Sequence, residues 1–73
     1  MLKQIYLKEN EWNYAIAQCY YEEYYHDYLA HCGCKPSFTF SDIEYFTVEN
    51  RNDGLTEIIF YNKNNEYLFS VLD

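Results

Sequence analysis

Hydrophobic and polar positions follow a helical spacing in the first half of the chain and alternate with a period of two in the second half. Residues 11 to 32 contain no glycine or proline, and this segment lies between Asn10 and Gly33. Asparagine is a favourable N-cap, and glycine suits the left-handed residue that follows many helices. With Pro36 as a further stop signal, the pattern predicts one helix of about 22 residues.

Two sets of residues recur at helical spacing along this helix, whereas an ordinary amphipathic helix has a single apolar stripe. The Trp12 stripe consists of Trp12, Ile16, Cys19, Tyr20, Glu23, His26 and Ala30, and the tyrosine stripe of Tyr14, Ala17, Tyr21, Tyr24, Tyr25, Tyr28 and His31. Because Trp12 and Ile16 have little reason to be exposed, we expect the Trp12 stripe to face the sheet. In the alternative arrangement, the tyrosines form the core and their hydroxyl groups reach its rim.

After Pro36, alternation predicts strands at 45–50, 55–62 and 66–72. We expect a three-residue loop at Asn52-Asp53-Gly54 and a two-residue loop at Lys63-Asn64. This register brings one set of residues to a common face, which we predict to be the core: Phe46, Val48, Ile58, Phe60, Tyr67, Phe69 and Val71.

The order of these elements predicts an α+β fold in one domain spanning 1–73. A short N-terminal strand precedes one long helix, which packs on a three- to four-stranded antiparallel sheet in the order (β)αβββ. The same register places Glu49 directly opposite Glu57 on the outer face, where like charges destabilise a sheet unless Arg51 or a partner's cation lies between them. Beside these acids, an apolar remnant could act as a docking or dimer patch; it comprises Ile59, Tyr61, Leu68 and Leu72.

The amino-acid composition indicates what kind of surface this fold presents. The chain carries ten tyrosines and twelve carboxylates against five lysines and arginines, and its net charge is -7. Tyrosine is enriched at protein interfaces, and a negative field selects basic partners and repels nucleic acid. We therefore predict a protein-binding surface with no direct nucleic-acid binding. The alternative is that the charge serves only solubility.

Three further features bear on compartment and chemistry. The first residues lack the apolar core of a signal peptide, no stretch is long enough for a membrane span, and the cysteine count is odd. We expect a reduced, cytoplasmic protein that does not bind membranes. His26, His31, Cys32 and Cys34 include zinc-ligand types, but their spacing is poor for a zinc site, and no nucleophile pair or phosphate-binding loop is present. We predict no metal, no cofactor and no catalytic activity.

In size, charge, aromatic content and α+β layout, the chain resembles two groups of small acidic proteins. One is the phage-encoded inhibitors of bacterial defence, such as anti-CRISPR proteins, and the other is the immunity proteins or antitoxins that cap a basic nuclease. No motif specific to either group is present. The resemblance implies a stoichiometric inhibitor, a nucleic-acid mimic that occludes a nucleic-acid channel or an interface of its target.

The predicted binding site combines aromatic anchors with flanking acids. Its residues are Tyr21, Glu22, Tyr25, Asp27 and Tyr28 on the helix and Glu49 and Glu57 on the sheet. We expect the partner to be a basic, nucleic-acid-handling protein, since aromatics supply desolvated contact area and carboxylates supply steering. The alternative from another class is a homodimeric structural or assembly protein that associates through the tyrosine stripe.

Overall fold

The computed structural model describes residues 3–73 and confirms the predicted α+β architecture. Its elements are β1 (Ile5–Tyr6), α1 (Glu11–Cys32), a short 3-10 helix (Phe40–Asp42), β2 (Tyr45–Asn50), β3 (Thr56–Tyr61) and β4 (Tyr67–Leu72). The strands form one antiparallel sheet in the order β1-β2-β3-β4, and α1 packs against one of its faces.

Both ends of α1 are fixed by the residues that the sequence indicates. The side chain of Asn10 accepts a hydrogen bond from the backbone N–H of Asn13 at 2.8 Å. Gly33 adopts a left-handed conformation with φ 72°, and its N–H donates to the carbonyl oxygen of Leu29 at 2.9 Å. The side chain of Asn13 also donates to the carbonyl oxygen of Tyr6, which attaches the start of the helix to β1.

The buried face of α1 is centred on Ala17 of the tyrosine stripe and includes residues of both stripes, so the prediction that the Trp12 stripe faces the sheet is wrong. Trp12 is 74% exposed, whereas Ala17 is fully buried against the sheet. Larger residues pack against the core on either side of Ala17. These flanking residues come from both stripes: Ile16 and Tyr20 from one, Tyr21 and Tyr24 from the other.

Phenylalanines from three strands form most of the covered face of the sheet. Phe46, Phe60 and Phe69 are buried there as predicted, together with Ile58. The rings of Phe60 and Phe69 stack with centroids 4.3 Å apart, and Tyr24 of α1 stacks on Phe69 at 4.4 Å. Val48 lies on the same strand two residues from Phe46, but it is 40% exposed, so its predicted burial is wrong.

The two hairpins differ in how well their register was predicted. Between β2 and β3, Gly54 is left-handed with φ 86°, and Glu49 lies opposite Glu57, which confirms the predicted register. Between β3 and β4, the two-residue loop is wrong, because Asn62 bonds to Glu66 across a three-residue loop that ends in left-handed Asn65, with φ 64°.

The longer loop is accompanied by a β-bulge in β4, which reverses the faces on which Tyr67 and Leu68 were predicted to lie. Tyr61 pairs with Tyr67, but Phe60 pairs with Phe69, so Leu68 is an extra residue in β4. Tyr67 is consequently 61% exposed instead of buried. Leu68, which the predicted register puts on the outer face, packs against the core.

Candidate functional site: an acidic groove

A groove of about 450 Å³ runs between α1 and the end of β4. It is lined by Tyr20, Glu23, Tyr24, Asp27, Glu57, Ser70, Val71, Leu72 and Asp73. Four of these nine residues carry a carboxylate and none is a lysine or arginine. We call it the acidic groove.

Local structure explains why the acids meet there. Glu23 and Asp27 are one helical turn apart, so they project from the same side of α1. Asp73 follows β4 and is held by two backbone hydrogen bonds to Thr56, of 3.1 and 2.9 Å. Helix and sheet therefore present carboxylates to the same space. Like charges at the spacing of Glu23 and Asp27 weaken an isolated helix by a few tenths of a kcal/mol, roughly 0.2 to 0.5.

Tyr20 is bonded to one of the carboxylates of the groove, and its pKa is affected by them. Its hydroxyl donates a hydrogen bond to a carboxylate oxygen of Asp73 at 2.9 Å. This bond, followed by burial and by the negative charges of Asp73 and Glu23, raises the pKa of Tyr20 above its usual value. The hydrogen bond also holds Asp73 against the helix, which keeps this carboxylate in place.

The predicted helical site residues lie on different sides of α1. Asp27 lines the acidic groove, whereas Glu22 is exposed and does not line it. Tyr21 is half-buried, packs against the core and donates to the carbonyl oxygen of Phe38 at 3.3 Å. Tyr25 and Tyr28 are also half-buried, in ring contact with Tyr21 and Tyr24 respectively. The role of these residues in binding stays a prediction.

The two predicted acids of the sheet meet near the first hairpin. Glu49 and Glu57 line a second pocket of about 420 Å³, which also contains Arg51 and Asp53. Arg51 and Asp53 form the one ion pair among residues 3–73, with a nitrogen–oxygen distance of 3.2 Å. Arg51 thus neutralises Asp53 and forms no ion pair with Glu49 or Glu57.

Of the nine residues that line the acidic groove, sequence reasoning named only Asp27 and Glu57 as site residues. The seven that it missed include Tyr20, Glu23 and Asp73. The spacing of Glu23 and Asp27 was a signal for a shared helix side. No local signal connects Asp73 to α1, because the hydrogen bond from Tyr20 joins residues 53 positions apart.

The cysteines and histidines form no metal centre in the part of the chain that the structure describes. No group of three His, Cys, Asp or Glu side chains there could hold a metal ion. Cys19, Cys32 and Cys34 are free and exposed. His31 Nδ1 lies 2.8 Å from the carbonyl oxygen of Asp27, a contact within the helix end.

A second, apolar groove of about 400 Å³ lies beside the N-terminal half of α1. Its lining includes Ile5, Trp12, Ile16, Phe46, Val48 and Ile58. The exposed rings and methyl groups of Trp12 and Val48 form part of this surface. The two grooves adjoin each other, since Tyr20 and Asp73 line both.

The chain matches no family model and has no significant similarity to a curated protein or to a solved structure. Within residues 3–73, no helix combines the length and apolarity needed to span a membrane.

Proposed function

We propose that the protein is a non-catalytic, stoichiometric inhibitor that binds a basic, nucleic-acid-handling protein. The observation that carries this proposal is the acidic groove, whose lining includes Glu23, Asp27, Glu57 and Asp73 and no lysine or arginine. A folded chain gains nothing in stability from such a concentration of like charge. A partner's lysines and arginines would relieve the repulsion, with carboxylates taking the positions of phosphates.

This proposal keeps the resemblance to anti-CRISPR proteins and to immunity proteins or antitoxins as alternatives for the biological setting. The same groove would serve either, since both kinds of target carry a basic site. The identity of the partner distinguishes them: a defence nuclease indicates the first setting and a toxin nuclease the second.

The test is affinity purification from the cells in which the protein acts, followed by binding measurements with the partner that is identified. We expect a basic, nucleic-acid-handling protein whose affinity for this chain falls as salt rises, because close charge pairs dominate the contact. A partner without a basic site, or binding indifferent to ionic strength, would contradict the proposal.

A matched pair of charge variants locates the contact. Glu23→Gln with Asp27→Asn removes two charges from the acidic groove. Glu9→Gln with Glu11→Gln removes two from exposed positions at the start of α1, where Glu11 lies about 18 to 24 Å along the helix from the groove pair. Close interfacial pairs couple by about 1.5 to 7 kcal/mol, while exposed charges are typically worth under about 1 kcal/mol. We expect a much larger loss from the groove variant. Equal small losses of affinity in the two double variants would mean that charge acts only through the long-range field of the protein and that the groove is not the contact.

The apolar groove favours a second candidate function, a homodimeric assembly protein. Its contact would differ from the predicted one through the tyrosine stripe, since Tyr21 and Tyr24 of that stripe already pack against the core. Trp12, at 74% exposure, is the largest side chain available for such a contact. Sedimentation velocity over a range of concentrations tests it: a dimer that Trp12→Gln dissociates supports this candidate, and a monomer at all concentrations rejects it.

A further inference from the structure

The outer side of β4 has no backbone partner within residues 3–73, since β4 lies at the end of the sheet and bonds only to β3. Thr56 in β3 lies opposite Asp73, which follows β4, and the backbone N–H of each residue donates to the carbonyl oxygen of the other. Along two antiparallel strands, hydrogen-bonded residue pairs of this kind alternate with pairs that form no backbone hydrogen bond to each other. The N–H and C=O groups of Leu72 and Ser70 therefore point away from β3, toward the open edge, where they can bond to another strand.

This edge has little of the protection that natural sheet edges carry. Residues 67 to 72 include no charged side chain and no proline, although lysine and proline commonly block edge pairing. The bulge at Leu68 disrupts only the beginning of β4, and Phe69 to Leu72 remain in regular register with β3. A short extended segment could therefore continue the sheet here.

Charge identifies the occupant. Ser70, Val71 and Leu72 line the acidic groove as well as the open edge, so a strand added to β4 would place side chains beside Glu23 and Asp27. A second copy of this chain would bring its own groove and its own charge of -7 to the same place. Like charges would then meet across the new strand pair, whereas lysine or arginine would be attracted.

We propose that β4 binds an extended, lysine- or arginine-bearing segment of the target as a fifth strand, with backbone hydrogen bonds to Ser70 and Leu72. This inference rests on the proposed function and supplies its mode of binding. Main-chain bonds provide affinity in this kind of strand addition, and alternate side chains provide specificity. Because side chains of a strand alternate in direction, every second residue of the segment would enter the acidic groove.

The probe is a peptide of about six alternating lysine and valine residues, titrated into the isotope-labelled protein and followed by backbone amide NMR and hydrogen exchange. We expect the amides of Ser70 and Leu72 to shift and to become protected from exchange. A matched peptide with glutamate in place of lysine should leave them unchanged. Two further peptides carry backbone N-methyl groups, the first on every lysine and the second on every valine. Only one of these two sets of N–H groups faces β4. The peptide in which that set is methylated should bind about tenfold more weakly or worse.

A variant of the protein tests the edge from the other side. Ser70→Pro removes an outward N–H without removing a bond to β3, a position where proline is tolerated in sheets. We expect it to weaken peptide binding about tenfold or more, while Ser70→Ala stays within about twofold of the original affinity. Amide spectra of both variants check that the fold is retained, and a misfolded Ser70→Pro leaves the methylated peptides as the deciding measurement.

The inference is overturned if the lysine peptide binds equally with and without either set of N-methyl groups, since charge alone then accounts for binding. It is also overturned if Ser70 and Leu72 are protected without peptide in a concentration-dependent way, because a second copy then occupies the edge. Its failure is separable from that of the proposed function. An identified target that responds to Glu23→Gln with Asp27→Asn but not to Ser70→Pro retains the inhibitor and rejects the fifth strand.

Discussion

The two faces of the sheet are made by the same strands, yet the aromatic residues of these strands are phenylalanines on the face that α1 covers and tyrosines on the other. On the covered face, Phe46, Phe60 and Phe69 are at most 3% exposed. On the open face, the one that α1 does not cover, Tyr45 is 4% exposed and is the cross-strand neighbour of Tyr61, with ring centroids 5.0 Å apart. The hydroxyl of Tyr45 donates to the side chain of Asn65 at 3.0 Å. Neighbouring residues of one strand thus differ by a single oxygen atom according to the face they occupy.

The comparison shows how a chain of this composition supports a core. A buried hydroxyl without a partner costs free energy, so phenylalanine is used where no partner is within reach. Tyrosine is used where its ring can pack and its hydroxyl can reach a partner or water. The tyrosines of α1 follow the same rule at the rim of the covered face, where Tyr20 and Tyr21 bond to Asp73 and Phe38.

Removing a ring from each face should produce the largest contrast. Phe69→Ala deletes a 2%-exposed ring that stacks on Phe60 and Tyr24, and we expect it to cost about 3 to 5 kcal/mol of unfolding free energy. Tyr67→Ala, two residues earlier and 61% exposed, should cost less than about 1 kcal/mol. Urea unfolding followed by circular dichroism measures both. Comparable losses would show that the bulge at Leu68 is absent and Tyr67 faces the core.

Adding a hydroxyl on the covered face and removing one from the open face should give the next largest effect on stability. Phe60→Tyr places a hydroxyl at a fully buried position and should lower the unfolding free energy by about 1 to 3 kcal/mol. Tyr61→Phe removes one from the half-buried neighbour and should change it by no more than about 0.5 kcal/mol. Thermal and urea unfolding of the two single variants provide the comparison. Equal effects would mean that the hydroxyl does not discriminate between the faces.

Alkaline pH should weaken the tyrosine rim of the covered face. Burial raises the pKa of Tyr21 and Tyr24 above the usual value of 10.0. The unfolded chain therefore loses these protons first, so stability is complete below about pH 10 and falls as pH rises further. Unfolding midpoints between about pH 8 and about pH 11 should show this decline. Tyr24→Phe keeps the ring but removes one titrating group, so its decline should be shallower; an unchanged slope would contradict the assignment.

The smallest effect is expected on the open face, at the facing acids. Glu49→Gln relieves repulsion with Glu57 across β2 and β3 and should raise stability by a few tenths of a kcal/mol, up to about 1. Glu9→Gln makes the same change of net charge in an exposed loop and serves as the control. The difference should shrink at high salt because the charges are screened. A variant no more stable than the control would show that the two carboxylates avoid each other.

Local signals predicted much of the fold. Asn10, Gly33 and Gly54 act through their own backbone or through residues a few positions away, and each occupies the predicted cap or turn. Alternation placed Phe46, Phe60 and Phe69 on the covered face, since side-chain direction in a strand depends only on parity while the register holds. Sequence was misleading at Tyr67, because one extra loop residue and its compensating bulge preserve the position of Phe69 but invert that of Tyr67.

Tertiary structure alone decided the rotation of α1 and the convergence of the acids. Both helical stripes are apolar enough to be buried, and the folded helix buries Ala17 of the tyrosine stripe with flanking residues from both stripes. The acidic groove brings Glu23 and Asp27 together with Glu57 and Asp73, from segments about 30 or more residues apart. Helical and strand periods act over a few residues, so the sequence by itself determined the elements and the covered face. The meeting of distant carboxylates depends on how the helix lies across the sheet, which only packing of the whole chain fixes.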